Sequence, residues 1–352
     1  MSETLGKISH ELVSDFIASR CGHARGEVRT GPAFGVDVSV IDLPGNMGLA
    51  LTSDPLSLIP SLGLRESAWL SVHLMANDMA TTGFTPMYGQ FVLNLPATLS
   101  RDDFKMYWEH INHFCSEIGV AITGGHTGFI EGQNSTIAGG GTFITTAPRN
   151  KILCSNQAQA GDVLLVTKSS ALSSAAILAM SFPETVKNSV GIEVHQLACE
   201  SFYQTSSLPD ALAAVGAQHE CDDVSAMHDV IEGGVLGALY EMAVASGNGL
   251  HVHHDRIPVG EVQAAVCSVF NLDPMSCIGA GSMIIACREN AVANVINRLA
   301  EKKIACAEVG KLCAPEQGMK LIQPNGEETT LTYIPEDPYW SAFFNAYKAG
   351  WK

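Results

Sequence analysis

Short stretches of alternating polarity and longer stretches of three-or-four spacing follow one another along nearly the whole chain. In residues 35–41, Val36, Val38 and Val40 fall on one face, with Asp37, Ser39 and Ile41 on the other, the period of a half-buried strand. A second strand over 49–53 runs into Asp54 and Pro55. From 65 to 82 the spacing becomes helical, with Ala68, Val72, Met75 and Met79 on one stripe, Asp78 inside it and Gly83 as its stop. A strand over 88–95 precedes Ser100-x-x-Asp103, which opens a helix carrying Phe104, Tyr107, Ile111, Phe114 and Ile118. A glycine turn at 124–128 and a strand over 136–146 follow.

Pro148-Arg-Asn-Lys breaks the pattern, which predicts a boundary near residue 150 between domains 1–150 and 151–352. The second half alternates too. It reads as a strand at 162–167, helices near 171–181, 195–206 and 208–216, a helix opened by 227–234 and running to Ser246, and a strand at 250–254. A strand at 282–287, a helix over 291–299 and a strand at 304–309 follow. The grammar is α/β, with no solenoid repeat and no low-complexity tract.

Composition narrows the function classes. Of 352 residues, 46% are hydrophobic and only 16% charged, which supports a large folded core. The formal charge of −16 argues against nucleic acid or an anionic membrane as partner, so a phosphate ligand would need a metal or a local device. Ten cysteines without a C-x-x-C pair exclude a zinc ribbon or a thioredoxin-like site and fit a reducing compartment. With a polar, acidic N-terminus and no long apolar run, the expectation is a cytoplasmic protein.

Four acidic residues stand where an apolar element rarely spends a charge: Asp37, Asp54, Asp78 and Asp229. Asp54-Pro55 also reads as a turn initiator and Asp229 as a helix cap. Asp78 requires a partner, since an unpaired buried carboxylate is costly. Magnesium suits several carboxylates without Cys/His ligand spacing better than zinc does. The glycine turns and Gly233-Gly234 offer backbone N–H groups to phosphate, whereas no P-loop or Rossmann fingerprint is present. His251, His253 and His254 read as a solvated strand edge, and His110 and His113 as surface.

Asn77-Asp78-Met-Ala-Thr-Thr-Gly83-Phe-Thr-Pro86, Thr52-Ser53-Asp54 before it and Thr123-Gly124-Gly125-His126-Thr127 after it resemble the ATP-binding superfamily of aminoimidazole ribonucleotide synthetase, HypE, selenophosphate synthetase and thiamine-monophosphate kinase. Residues 227–249 and Leu272-Asp-Pro274 are similar to HypE in particular. The resemblance implies a PurM-like two-domain α/β fold, with an N-terminal mixed sheet that forms a barrel in a homodimer and an α+β C-terminal domain. It implies Mg²⁺ on Asp37, Asp54, Asp78 and Asp229. It places ATP against Asp37, Asn77, Asp78, Gly124, Gly125, His126, Thr127, Gly233 and Gly234, in a groove lying partly across the dimer. The activity implied is phosphoryl transfer to an acceptor oxygen supplied by a small molecule or a protein, with no nucleophile from the chain and a maturation protein as a further partner. Thiamine-monophosphate kinase activity, aminoimidazole ribonucleotide synthetase activity and a non-catalytic scaffold are the alternatives.

The departures concern the acceptor. HypE's C-terminal cysteine tail is missing, the last cysteine being Cys313, and the reactive pair of selenophosphate synthetase is not reproduced around Cys21-Gly22-His23. Lys168 to Ser174 replaces the glycines usual in relatives, and Ile231 replaces their threonine.

Overall fold

The computed structural model describes residues 7–219, 222–334 and 336–352. Its first half is built on strands β1 (Val28–Thr30), β2 (Ser39–Leu43) and β3 (Met47–Ser57), helix α1 (Leu64–Ala80), strand β4 (Tyr88–Pro96), helix α2 (Arg101–Glu117) and strands β5 (Ala121–Ile130) and β6 (Ile137–Pro148). The six strands form one sheet in the order β1-β2-β3-β6-β4-β5, in which only β4 and β5 pair in parallel. Residues 124–128, expected as a turn, lie inside β5: parallel pairing with β4 holds Gly124 to Gly128 extended against Gln90 to Asn94. Asp37 precedes β2 rather than sitting on it, and Asp54 is within β3 opposite Gly141.

The second half contains β7 (Val163–Thr167), α3 (Leu172–Ser181), α4 (Pro183–Val190), α5 (Ile192–Glu200), α6 (Leu208–Val215), β8 (Val224–Asp229), α7 (Gly234–Ser246), β9 (Gly249–His253), α8 (Glu261–Val269), β10 (Met283–Cys287), α9 (Val292–Glu301), β11 (Cys306–Cys313), β12 (Met319–Ile322), β13 (Glu328–Thr330) and α10 (Pro338–Lys348). The seven strands run β13-β12-β9-β11-β7-β10-β8. Helices α4, α8 and α10 escaped the periodicity. The helix expected over 195–206 is α5 followed by a short 3-10 turn over Ser201–Thr205, and the segment opening at 227 is strand β8 first.

Every residue of β7 and β10 is buried, because both faces of this sheet are covered. Leu165 and Ile285 join a core with α6, α9 and the first half of the chain, while Leu164 and Ile284 face α7.

Helix α1 is the hinge piece of the packing. It has helix-forming Ala, Leu and Met throughout, begins after Gly63 and stops before Gly83, whose φ of 81° no β-branched residue adopts cheaply. The single apolar stripe predicted an amphipathic helix, yet twelve of its residues are buried. One side meets the first sheet so closely that a Cβ at Gly141 would strike the Met75 sulfur, 2.5 Å away. The other side meets the segment 201–215 of the second half. Asn77 ties that side down: its Nδ2 donates to the Thr205 carbonyl at 2.9 Å and its Oδ1 accepts from the Ser207 N–H at 2.7 Å.

Among the described residues no helix is long and apolar enough to cross a membrane, and the nine described cysteines are free.

Replacing Asn77 with alanine strands two buried backbone groups, each costing about 1–3 kcal/mol. Asn77→Ala should therefore lower unfolding stability by about 2–4 kcal/mol in urea titrations; an unchanged midpoint would show that the tie between the halves is not made.

Candidate active site

The four aspartates come from four separate segments and meet where the first half abuts β8 and α7. Gly35 makes this approach possible, since its Cα rests against the Glu241 carbonyl of α7 with no room for a side chain. Two residues later, Asp37 reaches His228 of β8, with Oδ2 2.8 Å from the ring Nδ1. Asp78, 8% exposed on the last turn of α1, accepts from the Thr52 hydroxyl of β3 at 2.7 Å. Asp229 ends β8, is 4% exposed, and its Oδ2 has no hydrogen-bond partner among the described residues. Asp54 projects from β3 beside them.

Electrostatics show that these carboxylates feel one another. Burial pushes Asp78 well above the usual carboxylate range, and Asp229, Asp54 and Asp37 add to it. Asp229 is raised by burial and then chiefly by Asp37. Burial raises Asp54 to about 7, with Glu232 pushing the same way and Lys7 opposing.

A chain of alternating charge flanks the cluster. Burial alone would discharge His228, but Asp37 on Nδ1 and Glu241 on Nε2, 3.0 Å away, outweigh it and hold the imidazolium up to about 10. Burial likewise works against a charged Glu241, yet Lys7 and His228 bring it down to about 2. The Lys7 ammonium lies 3.2 Å from Glu241 Oε2, which holds it in its charged form despite burial.

Asp37, His228 and Asp229 each place one ligand atom within 4.8 Å of the others. Both His228 nitrogens are engaged by carboxylates, so the ring has no lone pair to offer a metal. What remains is an all-oxygen donor set with an orphaned buried oxygen on Asp229, which fits a hard divalent cation.

The other expected site residues lie elsewhere. Asn77 is consumed by its tie to Thr205 and Ser207. Gly124, Gly125, His126 and Thr127 are exposed on the edge strand β5, three strand spacings from β3, or roughly 14 Å. One chain does not bring them to the aspartates. Gly233, at φ 78°, donates its N–H to Asp337 Oδ2 at 2.7 Å, and Gly234 packs against the carbonyls of Met275 and Cys277. In this arrangement a carboxylate of the chain itself occupies the Gly233 N–H that was expected to meet phosphate.

His228, Glu232, Glu241 and Lys7 were missed. Glu241 had a readable signal, a charge on the inner face of the apolar helix α7. Lys7 had none, because a lysine in a polar leader looks solvated.

Residues 35–145 match the model of the AIR synthase related protein N-terminal domain, and residues 159–320 match that of the C-terminal domain. The chain belongs to the AIR synthase related protein family. Within the family, it is 28% identical to carbamoyl dehydratase HypE of Azotobacter vinelandii over 69% of this chain and 68% of that protein. It is 25% identical to the Escherichia coli HypE over 75% of each. Among solved structures, a chain of a HypE–HypF complex superposes with a TM-score of 0.72 at 17% identity, covering 92% of this chain and 99% of that one. HypE in complex with ATP superposes with a TM-score of 0.68 at 21% identity, covering 95% and 97%. These likenesses show that the two-domain PurM-like fold is shared.

Two outcomes follow from the charges. Asp54, Asp78 and Asp229 hold protons above the ordinary range, so a divalent ion must displace them. MgCl₂ calorimetry in buffers of different ionisation enthalpy should show proton release below neutrality and tighter binding at higher pH. A pH-independent affinity without proton release contradicts the raised carboxyls.

His228 is raised from 6.5, so its contribution is complete below that pH and lost as pH climbs through about 10. Glu241 is lowered from 4.5, so its contribution is present above that pH and lost as pH falls through about 2. His228→Gln in EDTA should cost about 3–5 kcal/mol between those two ordinary values and progressively less toward alkaline pH, measured by denaturant titration. A pH-independent cost would refute the imidazolium.

Proposed function

We propose that this protein is an ATP- and Mg²⁺-dependent enzyme that transfers a phosphoryl group to an oxygen of an acceptor. The observation that carries this reading is the buried, unpartnered Oδ2 of Asp229 within a group of three further aspartates that repel one another. Without a cation such an arrangement is only a cost; the shared fold of HypE in complex with ATP supports a nucleotide as the ligand, and a metal ion arriving with it would relieve that cost.

Asp37, Asp54, Asp78 and Asp229 would hold the ion. When bound, Mg²⁺ would neutralise charge on the phosphate oxygens as the γ-phosphoryl group departs. The chain's own residues pre-set the ligands. His228 fixes one oxygen of Asp37 and is itself fixed by Glu241, so Asp37 keeps its direction. The Thr52 hydroxyl does the same for Asp78. Lys7 supplies a positive charge beside Glu241 without entering a carboxylate of the cluster directly.

The reading extends to a homodimer. β5 ends its sheet with an open edge, and Val92, Phe129, Ile130 and Ile137 are exposed large apolar residues on or beside it. Pairing of this face with a second copy would cover it, and Gly124 to Thr127 would then serve the nucleotide at the partner's aspartates. The cluster governs the phosphate end of the reaction and leaves the acceptor to its surroundings.

Calorimetric titration of Mg-ATP into wild type, Asp54→Asn and Asp78→Asn, with light scattering on the same samples, tests this. Each variant should bind at least about tenfold more weakly, as expected when a charged ligand group is removed, and wild type should run as a dimer. Equal affinity in all three would sink the metal assignment.

A further inference from the structure

Beside the aspartate cluster, between α1, α3 and α10, the structure holds a cavity of about 110 Å³. Leu74 of α1, Ile177 of α3, Ile231 and the aromatic rings of Trp340 and Phe344 form its walls, and Glu232 is its single charged lining residue. Glu232 has no hydrogen bond or ion pair with any described residue, and it follows Asp229 by three positions on the turn into α7. With Ser57 of β3, three residues beyond Asp54, and Leu74 of α1, one turn before Asp78, the walls come from three of the segments that carry the aspartates.

The aromatic wall is fixed in place. Asp337 caps α10 by accepting from the Tyr339 N–H at 2.8 Å, and its other oxygen accepts from Gly233 at 2.7 Å. Helix α10 is thereby fastened to the same turn that carries Glu232.

Neither metal nor triphosphate has use for apolar walls. An adenine ring would stand a ribose and at least one phosphate away from the ion, whereas this cavity is walled by residues three or four positions from the ion's proposed ligands. Its size is near that of a single small ring, since a cavity of roughly 150 Å³ takes benzene.

Resting on the phosphoryl-transfer reading above, we propose that this cavity receives the acceptor, a cationic small molecule whose apolar, ring-sized body lies against Ile177, Leu74 and Trp340 while its ammonium group pairs with Glu232. The apolar body supplies affinity by leaving water, and the charge pair orients the molecule toward the cluster.

Benzylamine is the probe, benzoate its control of opposite charge, and binding is read by ligand-observed NMR on the full-length chain with and without Mg-ADP. Wild type should bind benzylamine saturably, with Mg-ADP present as well as absent, and should reject benzoate. Ile177→Phe and Leu74→Phe fill the cavity and should each weaken benzylamine by about tenfold or more, with melting temperature and Mg-ADP affinity unchanged. Glu232→Gln should abolish the preference for benzylamine over benzoate. The proposal is overturned by absence of saturable benzylamine binding, by binding indifferent to both filled cavities, by a preference that survives Glu232→Gln, or by competition from ADP, which would make the cavity the nucleotide's. Mg-ADP binding is scored separately, so a wild type that takes benzylamine but no nucleotide defeats the phosphoryl-transfer reading and leaves the cavity assigned to the amine.

Discussion

Like charge held in a place that excludes water is the constraint around which this molecule is organised. Asp78 and Asp229 are buried with Asp37 and Asp54 beside them, and these neighbouring carboxylates raise the hold of Asp78 and Asp229 on a proton. A fold would shed such a cluster if stability were all that mattered, because burying an uncompensated charge costs more than its packing returns. The surrounding structure instead forces it. Helix α1 is clamped between the first sheet and the 201–215 segment, and the glycine at 35 lets the loop before β2 touch α7. The clamp is largely apolar, so the cluster is maintained by hydrophobic contacts that the carboxylates themselves do not supply.

The cluster is also lopsided, and the asymmetry has chemical meaning. Asp37 lies against His228, which Glu241 and Lys7 support from behind, so this corner is held in place by a chain of polar contacts. Asp54, Asp78 and Asp229 form no ion pair with a cation among the described residues and hold protons above the ordinary range. A site with an imidazolium set against one corner and three corners waiting to be discharged of protons is poised for a cation of higher charge than lysine. The apolar cavity lined by Glu232, on the turn that follows Asp229, adds an environment of different chemistry.

Much of the fold was legible because the second sheet's strands and the long helices carry their periods openly. The four aspartates could be picked out for a related reason: a carboxylate among Val, Met and Leu is conspicuous. What was illegible has specific causes. β5 looked like a turn because its glycines have little strand propensity, but pairing with β4 supplies what propensity does not. Helix α10 carries aromatic residues with no clean stripe, because it is buried against one cluster while part of its length remains open. His228 sits one residue from Asp229 yet was passed over, since a single histidine says nothing about the two carboxylates that charge it.

The amino-acid order by itself determined the alternation of strands and helices and which acidic residues stand on apolar elements, because these depend on neighbours within a few positions. Only the tertiary structure decided that Asp37, Asp54, Asp78 and Asp229 share one site, that Asn77 is a tie between halves, and that Asp337 takes the Gly233 N–H. It also kept Gly124 to Thr127 out of the site of their own chain, on the far edge of the sheet. The physical reason is the same in each case. Proximity across long sequence separations comes from packing two apolar surfaces together, and hydrophobic contact is non-directional, so no local pattern announces which distant charges it will bring face to face.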